Sequence, residues 1–296
     1  MNRGGQRFLA APDWLDGRSK SGMAVAVGDT ENKGDLGVYV TNITNARFLQ
    51  QGNNLRVRSK DSNEFTNIAR DEVANCGWAW GAAFGDLDRD GHQDLYVVNG
   101  FVSASRERDY WYDLAKIAGG QKGVFQDAEH WPDFGDKSLA GYERSRVLVW
   151  SKGRLRDCAT AVGAVDVLDG RAVVLADLEN RGVLDVVIAN QGQALLYYRN
   201  EPRVEQHWIQ FQLVGTRSNT SAIGASVLLG FEGGEQLQVV GGGSGMSSQG
   251  DRRLLFGLGS DAAPRFARIT WPSGESQTLE RPQPDRLHVI REGAAR

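Results

Sequence analysis

The sequence predicts an all-β fold, in which a partial β-propeller of about three blades is followed by a small β-sandwich-like domain. Three observations lead to this prediction. An acidic turn flanked by apolar, β-branched strand candidates occurs three times between residues 22 and 188. The chain has 37 glycines and 7 prolines, which suits many tight turns between short strands. Residues 207–292 contain further short strand candidates separated by turn residues.

The middle acidic turn, FGDLDRDGHQDL at 84–95, is the most informative motif. Its candidate ligands occupy positions 1, 3, 5, 7 and 9 of a D-x-D-x-D-G-x-x-D pattern: Asp86, Asp88, Asp90, His92 (through its carbonyl) and Asp94. Ca²⁺ takes roughly six to eight oxygen ligands, and alternate carboxylates in a tight loop can face one ion. Position 12 is Val97 rather than Glu, and both flanks predict strands, so the pattern is not an EF-hand. We predict a Ca²⁺ site in a β-hairpin, with a generic acidic turn as the alternative.

The first and third acidic turns are degenerate. In the first, which opens at Asp29, Lys33 and Gly37 occupy positions 5 and 9. In the third, Arg181 stands at position 5. A guanidinium can pair with carboxylates, so Arg181 is predicted to neutralise this turn in place of an ion. We therefore expect tight Ca²⁺ binding at the middle turn, with weaker candidate ligands in the third: Asp177, Glu179 and Asp185.

Each turn is accompanied by further strand candidates, which gives about four strands in roughly 50 residues, the size of a propeller blade. An insertion near 101–142 separates the second and third units and is predicted to contain a short helix. Its aromatic residues include the candidate partner-binding residues Tyr110, Trp111 and Trp131, since Tyr and Trp are favoured at interaction surfaces. The alternative is that the insertion packs on its own blade.

The repeats resemble the FG-GAP/VCBS repeats of integrin α-subunit propellers and many secreted bacterial proteins. The resemblance is carried by GDLDRDGHQDLYVVNG and, more loosely, by ADLENRGVLDVVIANQG and GDTENKGDLGVYVTN. The C-terminal part resembles the ASPIC/UnbV domain, which follows such repeats in the cartilage acidic protein family and its bacterial relatives. The residues that match this domain are Asn219, Gly224, Ala225, Ser248, Gln249, Phe256, Gly257, Gly259, Trp271, Pro272 and Gly274. We predict a repeat portion over 1–205 and an ASPIC/UnbV-like domain over 206–296.

The resemblance implies about seven blades, whereas three acidic-turn units are present. Three blades alone would leave sheet edges open. The chain could be the C-terminal half of a longer protein, could pair with its own copy, or could be covered by another chain. We expect self-association or a protein partner that completes the propeller.

Composition narrows the function further. A net charge of −3 argues against a nucleic-acid partner, and no apolar run approaches the roughly 20 residues of a membrane span. The N-terminus lacks the apolar core of a secretory signal, so the chain has none or is a mature form or fragment. Cys76 and Cys158 are predicted to be buried thiols rather than a pair. Sequons at Asn42 and Asn219 leave a glycan open.

These features favour a calcium-stabilised, non-catalytic binding or scaffold protein that mediates protein–protein association, in an extracellular or periplasmic setting. The alternative is a biosynthetic or carbohydrate-active enzyme that uses the propeller face, for which the insertion offers acids such as Asp113 and Asp136. No H-E-x-x-H, Walker loop or Cys-x-x-Cys is present. GGGSGMSSQG does not satisfy Gly-x-Ser-x-Gly around Ser244, because Met246 takes the last position.

Overall fold

Short antiparallel strands make up most of the ordered structure. A computed structural model describes residues 20–59, 64–119, 129, 131–201, 205–232, 234–243, 246–260 and 263–293. Strands far outnumber helices in these ranges, which confirms the predicted all-β class. The N-terminal residues 1–19 lie outside the described ranges.

The elements of residues 25–119 are β1 (Val25–Gly28), β2 (Gly37–Val40), β3 (Thr44–Asn45), β4 (Leu49–Gln50), β5 (Asn54–Arg58), β6 (Phe65–Asn67), α1 (Asp71–Ala74), β7 (Ala79–Gly85), β8 (Asp94–Asn99) and α2 (Trp111–Gly119). Those of the middle region are β9 (Arg146–Ser151), β10 (Arg154–Asp157), β11 (Gly170–Ala176), β12 (Asp185–Asn190) and β13 (Leu196–Tyr198). The C-terminal strands are β14 (His207–Val214), β15 (Ser226–Phe231), β16 (Gly234–Val239), β17 (Leu254–Gly259), β18 (Phe266–Thr270), β19 (Ser276–Glu280) and β20 (Leu287–Arg291).

Each acidic turn joins the first two strands of one sheet, as the sequence predicts. The first three sheets have the orders β1-β2-β5-β6, β7-β8-β9-β10 and β11-β12-β13. In the second sheet, β8 is buried along its whole length, which suits its run of apolar and β-branched residues. The strands β9 and β10 precede the third turn in the chain, yet they complete the second sheet, because β9 pairs with β8 and β10 pairs with β9.

The C-terminal strands form two more sheets around one hydrophobic core. The fourth sheet has the order β17-β14-β20, and the fifth has the order β16-β15-β18-β19. Phe211 and Phe256 from the fourth sheet share a buried cluster with Leu229, Ile269 and Trp271, which lie on or beside the fifth. The strand β14 begins at His207, next to the predicted boundary at 205/206. The strand β19 was not predicted, because its sequence SQTLE is largely polar.

The five sheets have a five-blade propeller arrangement, so the predicted count of about three blades is wrong. One edge strand from every sheet lines a common central cavity: β1, β7, β11, β16 and β17. Neighbouring inner strands pack closely, since a Cβ added at Gly81 in β7 would lie 2.7 Å from the carbonyl oxygen of Arg171 in β11. The prediction counted acidic turns, and the fourth and fifth sheets have none.

The C-terminal sheets cover the edge that three blades would leave open. In particular, β16 approaches the first acidic turn, where Lys33 and Glu235 form a parallel bridge. The argument that an open edge requires a second chain therefore does not apply to this fold. Association with a partner stays a prediction, but an open sheet edge no longer supports it.

Other predictions of local environment can be compared with the structure directly. The predicted short helix in the insertion is α2. Both cysteines are free, with Cys76 buried and Cys158 half-buried. Asn42 is buried and its backbone N–H donates to Asn53, so its sequon is inaccessible, whereas Asn219 is exposed. No helix in the described ranges has the length and apolarity that crossing a membrane requires.

Glu292 ties the end of the chain to the turn after β14. Its Oε2 accepts hydrogen bonds from the N–H groups of Thr216 (2.8 Å), Arg217 (2.8 Å) and Ser218 (2.7 Å), and its Oε1 accepts from the hydroxyls of Ser218 and Ser273. Burial raises the pKa of this carboxyl, but the hydrogen bonds to the charged form outweigh burial and hold the pKa well below its ordinary value of 4.5.

We expect Glu292→Gln to lower the melting temperature by several degrees at pH 7, because an amide cannot accept all of these donors. A depressed folded-state pKa stabilises the fold above the unfolded value of 4.5, and this contribution is lost as the pH falls below it. The difference from the parent protein should therefore shrink in thermal melts at progressively acidic pH. Glu280→Gln, on an exposed strand position, is the control. Equal melting temperatures at pH 7 would contradict the prediction.

Candidate functional site

The three acidic turns share one backbone conformation. Position 4 adopts a left-handed φ in each turn, at Asn32 (51°), Arg89 (63°) and Asn180 (54°). The glycines at position 6 also have positive φ, of 71°, 91° and 67° in chain order. The glycine lowers the steric cost of this double left-handed turn, which explains its place in all three repeats. The common frame inferred from the sequence is therefore a common geometry.

The first aspartate of each turn is satisfied differently. In the first turn, Asp29 accepts backbone N–H groups at both oxygens, from Lys33 (3.1 Å) and from the glycine that follows it (2.9 Å). In the third, Asp177 accepts equivalent bonds at both oxygens, each of 2.8 Å. In the middle turn, Asp86 accepts the Gly91 N–H at Oδ2 (2.9 Å), and its buried Oδ1 has no hydrogen-bond partner. This oxygen is available to a cation.

Three of the predicted ligands come together around that oxygen. Carboxylate oxygens of Asp86, Asp88 and Asp94 lie within 4.8 Å of one another. The oxygens of Asp94 are oriented by the N–H groups of Leu87 and Trp150, both at 2.9 Å. Burial, followed by the charges of neighbouring aspartates, raises the pKa of both Asp86 and Asp94 well above the ordinary value of 3.8. A bound cation would relieve this repulsion, and a compact set of hard oxygens suits Ca²⁺.

Asp90 and His92 lie at the edge of this group. The Asp90 carboxylate accepts the N–H of His92 (2.8 Å) and lies 3.4 Å from its Nδ1. The imidazole stacks on Trp150 with a centroid separation of 5.8 Å. Asp90 therefore does not belong to the three-carboxylate group, although its charge contributes to the raised pKa of Asp86. Ligation by Asp90 and by the His92 carbonyl stays a prediction.

The third turn carries its own cation. The guanidinium of Arg181 pairs with Asp185 (2.7 Å) and with Glu179 (2.9 Å). Glu179 also pairs with Arg199 (2.9 Å). This arrangement matches the predicted replacement of an ion by Arg181. A cationic side chain thus lies among these acids, and their weaker metal-ligand role stays a prediction.

All three turns contact the C-terminal sheets. Asp29 accepts the N–H of Leu237 in β16 (3.0 Å). Gln236, also in β16, donates from Nε2 to the carbonyl oxygen of Gly91 (2.9 Å) and to Asn32 (3.0 Å). In the third turn, the carbonyl oxygen of Asp177 accepts from Arg253 (2.6 Å). The fourth and fifth sheets therefore pack against the acidic turns.

Arg89 lies at the centre of this contact, although the sequence analysis did not single it out. Its side chain is buried and donates to the carbonyl oxygens of Gly182 (2.7 Å), Arg181 (2.6 Å) and Gln206 (3.3 Å). Its own carbonyl oxygen accepts from Gly259 at the end of β17 (2.8 Å). Position 4 has no ligand role in the loop pattern, so nothing in the spacing drew attention to this residue.

A glycine in β17 brings that strand against the candidate metal site. A Cβ added at Gly257 would lie 2.1 Å from Asp86 Oδ2 and 2.6 Å from the Cα of Arg89. Only a residue without a side chain fits this approach. The candidate metal site therefore lies at the contact between the second and fourth sheets rather than at a free loop tip.

The predicted partner-binding residues lie mainly in a buried cluster where the insertion packs against residues 43–48. Tyr110 and Trp111 are buried in a cluster with Ile43 and Leu139, and the partly buried Trp131 packs against it. Trp111 also stacks on Phe48, with centroids 5.9 Å apart. This burial favours packing over docking, and a partner-binding role stays a prediction. Two of the insertion carboxylates considered for acid–base chemistry form ion pairs, Asp113 with Lys137 (2.6 Å) and Asp136 with Arg108.

Comparison with known proteins agrees with this architecture. The model described as FG-GAP-like repeat matches residues 44–97, which include the middle acidic turn, and the model described as ASPIC and UnbV matches residues 215–296. The chain contains an FG-GAP-like repeat followed by an ASPIC/UnbV domain. Cartilage acidic protein 1 from Xenopus tropicalis is 28% identical over 113 residues, which cover 36% of this chain and 17% of that protein. The chain thus matches a small part of this relative's length.

We expect Arg89→Met to lower the free energy of unfolding by about 2–4 kcal/mol, because it leaves three carbonyl oxygens without a charged donor. Arg199→Met is the matched control, since Arg199 forms ion pairs at the exposed surface, and such pairs contribute roughly 0–1 kcal/mol. Urea denaturation of both variants checks the prediction. Similar losses in the two would show that Arg89 has no special structural role.

Trp111→Ala is expected to cost about 3–5 kcal/mol, the usual effect of removing a large buried aromatic side chain. Tyr112→Ala, at the neighbouring exposed position, should change stability by less than about 0.5 kcal/mol. Thermal melting with light scattering measures stability and association together. A Trp111→Ala protein of parental stability that no longer associates would instead support the docking role.

Proposed function

We propose that this chain is a calcium-stabilised, non-catalytic scaffold that mediates protein–protein association outside the cell or in the periplasm. The FG-GAP-like repeat and the ASPIC/UnbV domain favour a binding or scaffold protein of propeller type. The calcium part of the proposal rests on one observation: the buried, unpartnered Oδ1 of Asp86 beside two further carboxylates. An uncompensated group of this kind is costly, whereas a bound cation would stabilise it.

The contrast among the turns supports a specific role for the ion. Backbone N–H groups satisfy both oxygens of Asp29, and Arg181 neutralises the third turn. The middle turn has the same backbone conformation but lacks both devices. Ca²⁺ supplies positive charge and flexible oxygen coordination at this point. Asp86, Asp88 and Asp94 would hold it.

The position of the turn explains why an ion would stabilise a scaffold. Asp94 begins β8, Asp86 follows β7, and the turn between them contacts Gly259 in β17. Fixing this turn would therefore strengthen the junction between the repeat sheets and the C-terminal sheets. Ligand that binds only the folded state adds stability as RT ln(1 + [L]/Kd). Extracellular Ca²⁺ modules work with Kd values of roughly 10⁻⁴–10⁻³ M, and FG-GAP repeats are typical of extracellular proteins.

Calcium titration by calorimetry, with parallel thermal melts, tests the proposal. The parent protein should bind Ca²⁺ and gain roughly 5–10 °C in melting temperature at about 100 times the Kd. Asp86→Asn should abolish both effects, because it replaces a ligand charge. Asp177→Asn should lower the starting stability but retain binding. Mg²⁺ is the metal control, since it demands tighter octahedral geometry. Equal loss of binding in the two variants would contradict a single site at the middle turn.

A further inference from the structure

A cleft lies where the insertion folds back on itself, between the segment that leads into α2 and the segment that leads towards β9. Residues 105–109, 111, 138 and 140–143 line it, and its volume is about 190 Å³. Because a water molecule takes about 30 Å³ in the liquid, this space holds several waters or one small organic molecule. No feature of the proposed calcium-dependent scaffold uses the cleft.

The half-buried carboxylate of Glu143 has one oxygen without a partner in this cleft. Its Oε2 accepts the N–H of Trp78 (2.6 Å), and a Cβ added at Gly77 would clash with the same oxygen, so the chain before β7 covers that side. Oε1 accepts no hydrogen bond from the described residues, and it is not one of their enclosed, unpartnered atoms. It therefore keeps accessible surface and can accept from a bound molecule.

Trp111 adds an unpartnered donor to the same lining. Its side chain is only 6% exposed, stacks on Phe48 (5.9 Å between centroids) and lies 5.7 Å from the ring of Trp78. Within the described ranges its indole N–H donates no hydrogen bond, and it is not an enclosed atom. Glu143 and Trp111 both contact Trp78, which brings their free groups to one part of the cleft. An indole N–H is a donor only, so it suits an acceptor atom of a ligand.

The unpaired charge around the cleft is mainly negative. Arg108 is paired with Asp136, and the guanidinium of Arg106 lies over the ring of Tyr142, 4.0 Å from its centroid. Three lining carboxylates form no ion pair with the described part of the chain: Glu107, Asp109 and Glu143. Complementary charge favours the correct ligand and disfavours ligands of like charge, so this lining favours a cation.

The surroundings of Glu143 are consistent with a cationic ligand. Burial raises the pKa of this carboxyl from 4.5 to about 7, although the Trp78 N–H and the charge of Arg146 lower it, and the charge of Asp169 adds to the rise. Arg146 itself pairs with Asp157 (3.0 Å). A bound ammonium would favour the ionised carboxylate and offset the cost of its burial.

We propose that this cleft binds a small primary amine, in its ammonium form, that carries an oxygen acceptor close to the nitrogen. The ammonium donates to Glu143 Oε1, and the oxygen accepts from the indole N–H of Trp111. The inference is independent of calcium binding, because none of its contacts involves the three carboxylates of the middle turn.

Three molecules of nearly equal size separate the two contacts. 2-Methoxyethylamine has both groups, n-butylamine lacks the acceptor, and 1-methoxypropane lacks the ammonium. Saturation-transfer NMR titrations of the full chain measure the three dissociation constants. We expect 2-methoxyethylamine to bind at one saturable site, and 1-methoxypropane to bind at least about tenfold more weakly, since hydrogen bonds to charged groups are the stronger ones. Absence of saturable binding of 2-methoxyethylamine, or equal binding of 1-methoxypropane, would overturn the proposal.

Variants of the two side chains assign the contacts. Glu143→Gln should weaken both amines by at least about tenfold, because it removes the charge that the ammonium contacts. Glu280→Gln, at an exposed position of β19 outside the cleft, is the matched control and should bind as the parent does. Trp111→Phe keeps an aromatic ring without the N–H, so it should weaken 2-methoxyethylamine several-fold and leave n-butylamine nearly unchanged. Equal effects of Trp111→Phe on the two amines would contradict the acceptor contact.

The pH dependence of binding gives a readout that a loss of folding would not reproduce. The affinity for 2-methoxyethylamine should rise as the pH increases through about 7, because Glu143 ionises there while the ligand remains an ammonium. Glu143→Gln should bind weakly with little pH dependence in the same range. An unchanged pH dependence in Glu143→Gln would show that another group contacts the ammonium and would contradict the assignment.

Discussion

Arg89 joins parts of the chain that are far apart in sequence. From the middle acidic turn, its guanidinium donates hydrogen bonds to carbonyl oxygens of the third turn and of Gln206, just before β14. Its own carbonyl oxygen accepts a hydrogen bond from the N–H of Gly259 in β17. A planar guanidinium spreads its donors over three nitrogen atoms in one plane, whereas a lysine offers its donors from a single nitrogen atom. The turn that carries Arg89 also carries the candidate metal ligands. The conformation of this turn and the packing of the C-terminal sheets against it therefore depend on each other.

The three turns also show how one backbone conformation can be stabilised by different chemistry. The glycine and the left-handed position 4 fix the path of the chain, and the first aspartate then needs donors or positive charge. The first turn uses backbone N–H groups, including that of Leu237 from the opposite sheet, and the third adds Arg181. Only at Asp86 does a buried oxygen remain without such a partner among these three aspartates. This difference among the turns is consistent with the prediction that the middle turn alone binds Ca²⁺ tightly.

The sequence was informative where local chemistry determines the structure. Acidic turns, their flanking strands, the short helix in the insertion and the pairing of Arg181 follow from spacing and residue type within a few positions. Closure of the ring does not, because it depends on β16 and β17, whose sequences carry no repeat signal. The candidate site was predicted as a loop in a β-hairpin, without its contacts to the other sheets. Its contact with Gly257 arises from residues about 170 positions away, which no local pattern can specify.

Closure by unlike sheets leaves a cavity at the centre of the ring. Repeated blades place equivalent inner strands around an axis, whereas here β16 and β17 come from sheets with a different strand order and their own shared core. The residues of β16 and β17 need not match the packing of β1, and Val25 and Val27 remain half exposed. The strands β16 and β17, which pack against the acidic turns, therefore leave an apolar space beside them. An ion at the middle turn would stabilise the walls of that space.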